Sequence, residues 1–96
     1  MGLQFEWDPE KARINQRKHQ VTFEEAATVF ADFLSVTVPD PDHSLSEERY
    51  ITVGLSQRRR LLMVAHTERG SRIRIISARE LTPAEKRDYE QGSYGH

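Results

Sequence analysis

At residue 34 the apolar pattern changes its period, and that change restricts the chain to a small set of folds. Before it, Phe23, Ala26, Ala27 and Phe30 recur at i, i+3, i+4 and i+7, the stripe of an amphipathic helix. After it, Leu34, Val36 and Val38 alternate with Ser35 and Thr37, which predicts a strand that stops at Pro39. Ile51, Val53 and Leu55 alternate again. The stretch Gly54 to Arg60 reads as a turn, Leu61 to Thr67 as the next strand, and Gly70 as the turn before Arg72-Ile73-Arg74-Ile75-Ile76-Ser77-Ala78-Arg79. Close spacing with tight turns predicts an antiparallel meander.

The first third of the chain supplies helices with marked ends. Leu3 to Trp7 reads as a short strand with Phe5 and Trp7 on one side. Asp8 then stands at an N-cap with Pro9 at N1, and the helix is expected to run to about His19. Thr22-Phe23-Glu24-Glu25 is a capping box, with Val21 placed to staple against Ala26. Thr82-Pro83-Ala84-Glu85 repeats that logic and opens a helix ending near Tyr89. The predicted class is α+β: two N-terminal helices packed on one face of a four- to five-stranded antiparallel sheet, plus a short C-terminal helix. Residues 1–90 are expected to form one domain, and 91–96 a flexible tail.

Composition narrows the function classes. A 36% apolar share beside 30% charged residues describes a globular chain with a modest core. No apolar run approaches the ~20 residues of a membrane span, and no basic-then-apolar leader opens the sequence. Without cysteine there is neither a disulfide framework nor a thiolate metal site. A cytoplasmic location is the expectation. The net charge of −1 excludes nonspecific polyanion binding by the whole surface, so any nucleic-acid contact must be local. The charges do segregate: Arg58-Arg59-Arg60 and Arg69 to Arg79 are basic, and Asp40 to Glu48 is acidic. Guanidinium forks match phosphate oxygens, so the Arg-rich strand suggests an RNA-phosphate site. The alternative is the solvated face of a sheet.

Several ordered motifs carry a family likeness. Phe5-Glu6-Trp7-Asp8-Pro9 with Lys11, then Asn15 and Lys18-His19, then Val21-Thr22-Phe23-Glu24-Glu25-Ala26, resembles the opening of BrnT-type toxins. So do Asp42-His43 with Glu48-Arg49, and above all Arg74-Ile75-Ile76-Ser77-Ala78-Arg79. The resemblance runs from about residue 5 to 90. It implies a RelE-like fold and the toxin half of a type II toxin–antitoxin pair, an RNA endonuclease that inhibits translation. It also implies a BrnA-like antitoxin whose ribbon-helix-helix part binds the promoter, so that promoter DNA is reached only through the antitoxin, and no membrane partner. A homodimer within a hetero-oligomer is compatible with it. The family has glycine after the Lys-His pair; here the residue is Gln20, at a helix C′ position where positive φ is often needed.

Metal-independent RNA cleavage uses the substrate's 2′-hydroxyl as nucleophile and needs a base, an acid and cations around the phosphorane. No cofactor and no metal are expected. The acid/base inventory is His19, His43, His66, Glu48 and Tyr89, with His96 in the tail. His66, closing its strand beside the Arg-rich one, leads it because an imidazole can both accept and donate a proton near neutrality; its other reading is a strand-end histidine bonded to a loop carbonyl. Arg74 and Arg79 are the candidate phosphate ligands, with Arg49 and Arg72 beside them as substrate-binding residues. On an ideal strand Arg74 and Arg79 have opposite parity, so a bulge near Ser77, or Arg79 lying past the strand end, is required to bring them to one face. A salt-bridged surface is the competing reading, with Glu68 and Glu80 near in sequence. Glu48 is a candidate orienting partner for Arg49, or the two begin a strand. The likeness to RelE-type folds adds Tyr89 as an aromatic group positioning RNA. Lys18 and His19 are read as cations capping a helix end. Asp40, Asp42 and His43 are close in sequence, but two prolines there suit an ordinary loop better than a metal site. Trp7, Phe23 and Phe30 are read as core. A non-catalytic subunit that docks an antitoxin and tunes promoter binding is the alternative to a nuclease.

Overall fold

In the computed structural model the chain is described over residues 2–41 and 48–92. Its elements are β1 (Gln4–Glu6), α1 (Pro9–His19), α2 (Phe23–Thr28) continued by a 3₁₀ turn (Val29–Ala31), β2 (Val36–Pro39), β3 (Tyr50–Leu55), β4 (Leu61–Arg69), β5 (Arg72–Glu80) and α3 (Pro83–Glu90). The five strands form one sheet in the order β1-β5-β4-β3-β2. Strands β2 to β5 make the expected antiparallel meander. The sheet is nevertheless mixed, because β1 runs parallel to β5, with Phe5 opposite Ile73 and Glu6 opposite Arg74. This corrects the wholly antiparallel expectation. Turn spacing fixes the direction of strands joined by hairpins, but β1 reaches β5 across nearly the whole chain and no turn constrains it.

Local chemistry sets the helix ends. The Asp8 carboxylate accepts the Glu10 amide, with Pro9 in the first turn. Thr22 caps α2 by accepting from the Glu25 amide at 3.0 Å. The reciprocal half of that expected box is absent, because the Glu25 side chain turns instead to Arg60 and Ser56. At α3 both halves are made: Thr82 accepts from the Glu85 amide, and Glu85 accepts from the Thr82 amide. Helix α1 ends at Gln20, whose φ of 57° is left-handed. A side chain there costs backbone energy that glycine avoids. Gln20→Gly should therefore stabilise the protein by about 0.5–1 kcal/mol, despite losing the Gln20 side-chain bond to the Arg17 carbonyl. Urea unfolding measures this, and a destabilised variant would show that the side chain outweighs the strain.

The core lies between the sheet and α2. Val21, Phe23, Ala26 and Val29 meet Leu62, Val64, Ile75 and Ala78, with Phe5, Trp7, Ala12, Ala27 and Phe30 around them. Val21 and Ala26 are both fully buried, as a staple requires. Helix α1 contributes Ala12 at the margin of this core and one buried polar residue, Asn15, set against the outer edge of β5. Its amide donates to the Ala78 carbonyl at 2.9 Å and accepts the Ala78 amide at 3.0 Å, so the side chain bonds the strand as another strand would.

Two boundaries differ from the alternating pattern. Leu34 precedes β2 and is largely exposed; Asp32 instead organises a turn by accepting the Leu34 and Leu55 amides. Gly54 belongs to β3 rather than to the following turn, and a Cβ there would meet the Ser35 Cβ at 2.9 Å.

Candidate active site on the open face of the sheet

The faces of the sheet are sorted by a bulge. Along β4 and β5, Val64 opposes Ala78 and Ala65 opposes Ser77, but His66 opposes Ile75, so Ile76 is an extra residue in β5. Ala78 and Ile75 therefore both point to the core although three positions apart. By the same shift Arg72, Arg74, Ser77 and Arg79 all take the opposite, open face. The parity conflict between Arg74 and Arg79 is resolved by this extra residue.

Sharing a face does not put these arginines together. Five residue steps along β5 separate Arg74 from Arg79 by roughly 16 Å. Each is also matched to a carboxylate. Arg74 donates to Glu6 at 3.0 Å, and Arg72 lies 4.0 Å from the same carboxyl group. Arg79 grips Glu85 with both terminal nitrogens, at 2.9 and 3.0 Å, and its fork also touches the Met63 sulfur. That bidentate pair holds the Glu85 carboxyl down to about 2.

His66 takes the other face. It is only 4% exposed, with its Nε2 2.8 Å from the Thr52 hydroxyl and its ring edge-on to Phe30 at 4.9 Å and stacked on Tyr50 at 6.0 Å. Burial lowers its pKa from 6.5 to about 4, which keeps it neutral at cellular pH. Because the unfolded histidine binds its proton first, stability is complete above pH 6.5 and is lost as the pH falls from 6.5 through 4. The loss is about 3 kcal/mol. Denaturant titrations across that window should show the decline, and His66→Gln should flatten it; an equal slope in the variant would assign the acid sensitivity elsewhere.

The remaining sequence candidates are dispersed. The Tyr89 hydroxyl donates to the Leu34 carbonyl at 2.8 Å, pinning α3 to the Asp32 turn. Glu48 accepts from the Tyr50 hydroxyl at 3.2 Å, and the Arg49 carbonyl accepts the Asp40 amide. Asp42, His43 and His96 lie outside the described residues.

What the fold does bring together is a cleft of about 310 Å³ on the open face, lined by His19, Asp40, Ile51, Met63, Ser77 and Arg79, among others. It crosses β5, β4 and β3. Helix α1, held to the edge of β5 by Asn15, delivers His19 at one side, and Asp40, just past β2, is buried at the other. The cleft thus combines an imidazole, a guanidinium fixed in orientation by Glu85, a hydroxyl and a carboxylate. Sequence reasoning had Arg79 but passed over His19, because dipole capping accounts for a cation at a helix end without further function. The signal that could have found it is its place in the Lys18-His19 motif of the family resemblance.

Comparison with known proteins agrees with this architecture. The crystal structure of the Brucella abortus ribonuclease toxin BrnT superposes with a TM-score of 0.64 over 84% of this chain and 99% of that one, at 23% sequence identity, a likeness of fold. No curated protein sequence matches the chain. The family model for the ribonuclease toxin BrnT of type II toxin–antitoxin systems matches residues 7–85, from Trp7 through the β5 arginines to Glu85. On that match over most of its length, the chain belongs to the BrnT family of ribonuclease toxins.

Proposed function

We propose that this protein cleaves RNA in the open-face cleft, without a metal ion, and that His19 and Arg79 carry the reaction. The 2′-hydroxyl of the substrate attacks the adjacent phosphorus and gives its proton to the His19 imidazole. The bond to the 5′-oxygen breaks and that oxygen takes up a proton from solvent water, leaving a 2′,3′-cyclic phosphate and a free 5′-hydroxyl. Arg79 stabilises the phosphorane, its planar fork held ready by Glu85. Arg74, Arg72 and Arg49 act at a distance on the RNA strand, and Tyr89 and Glu48 hold surrounding structure. His66 is reassigned from base to buried support of the sheet. The observation that carries the reading is the meeting of His19 and Arg79 in one solvent-open cleft.

As a type II toxin the chain has a protein antitoxin. We take this to be a BrnA-like ribbon-helix-helix protein, which would connect the complex to promoter DNA, with mRNA loss blocking translation in the cytoplasm. A homodimer within the hetero-oligomer fits the same reading. The carboxylate pairing of Arg74 and Arg79 favours one other possibility, a non-catalytic subunit that docks the antitoxin.

Incubating the purified protein with end-labelled single-stranded RNA, with and without EDTA, tests the proposal. Cyclic-phosphate products in equal yield are expected in both. Loss of cleavage in EDTA would refute metal independence, and intact RNA after treatment with folded protein would leave the docking subunit.

A further inference from the structure

The charge on the open face is not where the Arg-rich strand puts it. Arg72, Arg74 and Arg79 all lie against Glu6 or Glu85, so much of their field is cancelled locally. Two cations beside the cleft are different. Lys11 and Lys18 are exposed on α1, and neither side chain makes an ion pair or hydrogen bond among the described residues. At i and i+7 they lie on one stripe of the helix, about 10 Å apart along its axis. Between them, at i+3, Ile14 is 44% exposed, an unusual place for a large apolar side chain on so polar a helix.

These residues line a second groove, of about 240 Å³, together with Ile76, His19 and Ser77. His19 and Ser77 also line the cleft. The two depressions are therefore neighbours, with His19 and Ser77 on the wall between them. The extra residue of β5, Ile76, forms part of the second floor.

We propose that the Lys11–Lys18 groove is a substrate subsite, in which the two lysines hold phosphates of an RNA strand extending from the cleft. Ile14 and Ile76 supply an apolar floor for the sugar and base between them. This inference rests on the reading of the cleft as an RNA-cleaving centre. A positively charged groove beside apolar contacts is how proteins follow a single strand without reading its sequence. Unpaired lysines suit that task as point charges, whereas paired arginines hold one phosphate in a fixed geometry.

The test is equilibrium binding of a fully 2′-O-methylated RNA of about 10 nucleotides, which cannot be cleaved through a 2′-hydroxyl, as a function of salt. The Lys11→Gln/Lys18→Gln variant should bind roughly 10-fold more weakly, with a log–log salt slope shallower by about 1.4, and Lys11→Arg/Lys18→Arg should restore both. Melting temperature should fall by no more than a few degrees, since both side chains are exposed and Lys18 adds only a helix-end charge interaction. Wild-type affinity and slope in the glutamine variant would overturn the subsite. Cleavage of unmodified RNA is followed in parallel. A wild-type protein that binds through the lysines yet leaves RNA intact would keep the subsite and remove the nuclease reading. A glutamine variant that binds and cleaves like wild type would do the reverse.

Discussion

Glu25→Ala should cost about 3 kcal/mol or more of folding stability, a large share of what a domain of this size has. Glu25 is 6% exposed, and its carboxylate accepts Arg60 Nε at 3.0 Å, Arg60 Nη2 and the Ser56 hydroxyl at 2.7 Å. Arg60 also donates to the Gln20 carbonyl at 3.0 Å and to Glu80 at 3.2 Å. One guanidinium thus ties the start of α2, the left-handed end of α1, the β3–β4 turn and the end of β5. Removing the carboxylate strands a partly buried cation and a hydroxyl, and that penalty exceeds what the pair itself contributes. Glu25→Gln, which keeps an acceptor for Ser56, should fall between. The same geometry predicts acid sensitivity: Arg60 holds the Glu25 carboxyl below its ordinary 4.5, so this stability is present above that pH and declines as the pH falls below it. Urea unfolding at neutral pH decides the matter, and a loss under about 1 kcal/mol would show the network to be a weak surface pair.

The largest expected change in activity belongs to His19. His19→Ala should lower the RNA cleavage rate by roughly 10²–10⁴ while moving stability by less than about 1 kcal/mol, the scale of a side chain's contribution at a helix end. His66→Gln is the informative companion, since it alters the histidine the sequence favours but not the cleft. Its cleavage rate at neutral pH should stay close to wild type. Wild-type cleavage by His19→Ala, with loss in His66→Gln, would return the reaction to the other face of the sheet.

The sequence was most readable where one local rule acted alone. Asp8-Pro9 and Thr82-Pro83 started helices where expected, because caps and proline act within one turn. It was less readable where two demands met on one residue. Glu25 satisfies the spacing of a capping box, yet the partly buried Arg60 outcompetes the Thr22 backbone amide for its carboxylate. His66 closes the apolar part of its strand, which suggested an accessible rim; β4 in fact continues to Arg69 and leaves His66 beneath Phe30 and Tyr50. The cleft was hidden for another reason: His19, Asp40 and Arg79 are scattered along the chain and meet only through tertiary packing.

The faces of β5 depend on Ile76 staying out of the ladder. Were Ile76 instead drawn into the ladder, one half of the strand would have to turn over. If the Ser77–Glu80 half kept its pairing, Arg74 would be driven in among Phe30 and His66 while Ile75 was expelled to water. If the Arg72–Ile75 half kept its pairing, Arg79 would leave the cleft. The same core and cleft are therefore compatible with two forms of β5, this one with a residue bulged out of the ladder and a regular strand one residue shorter between Ile75 and Ala78.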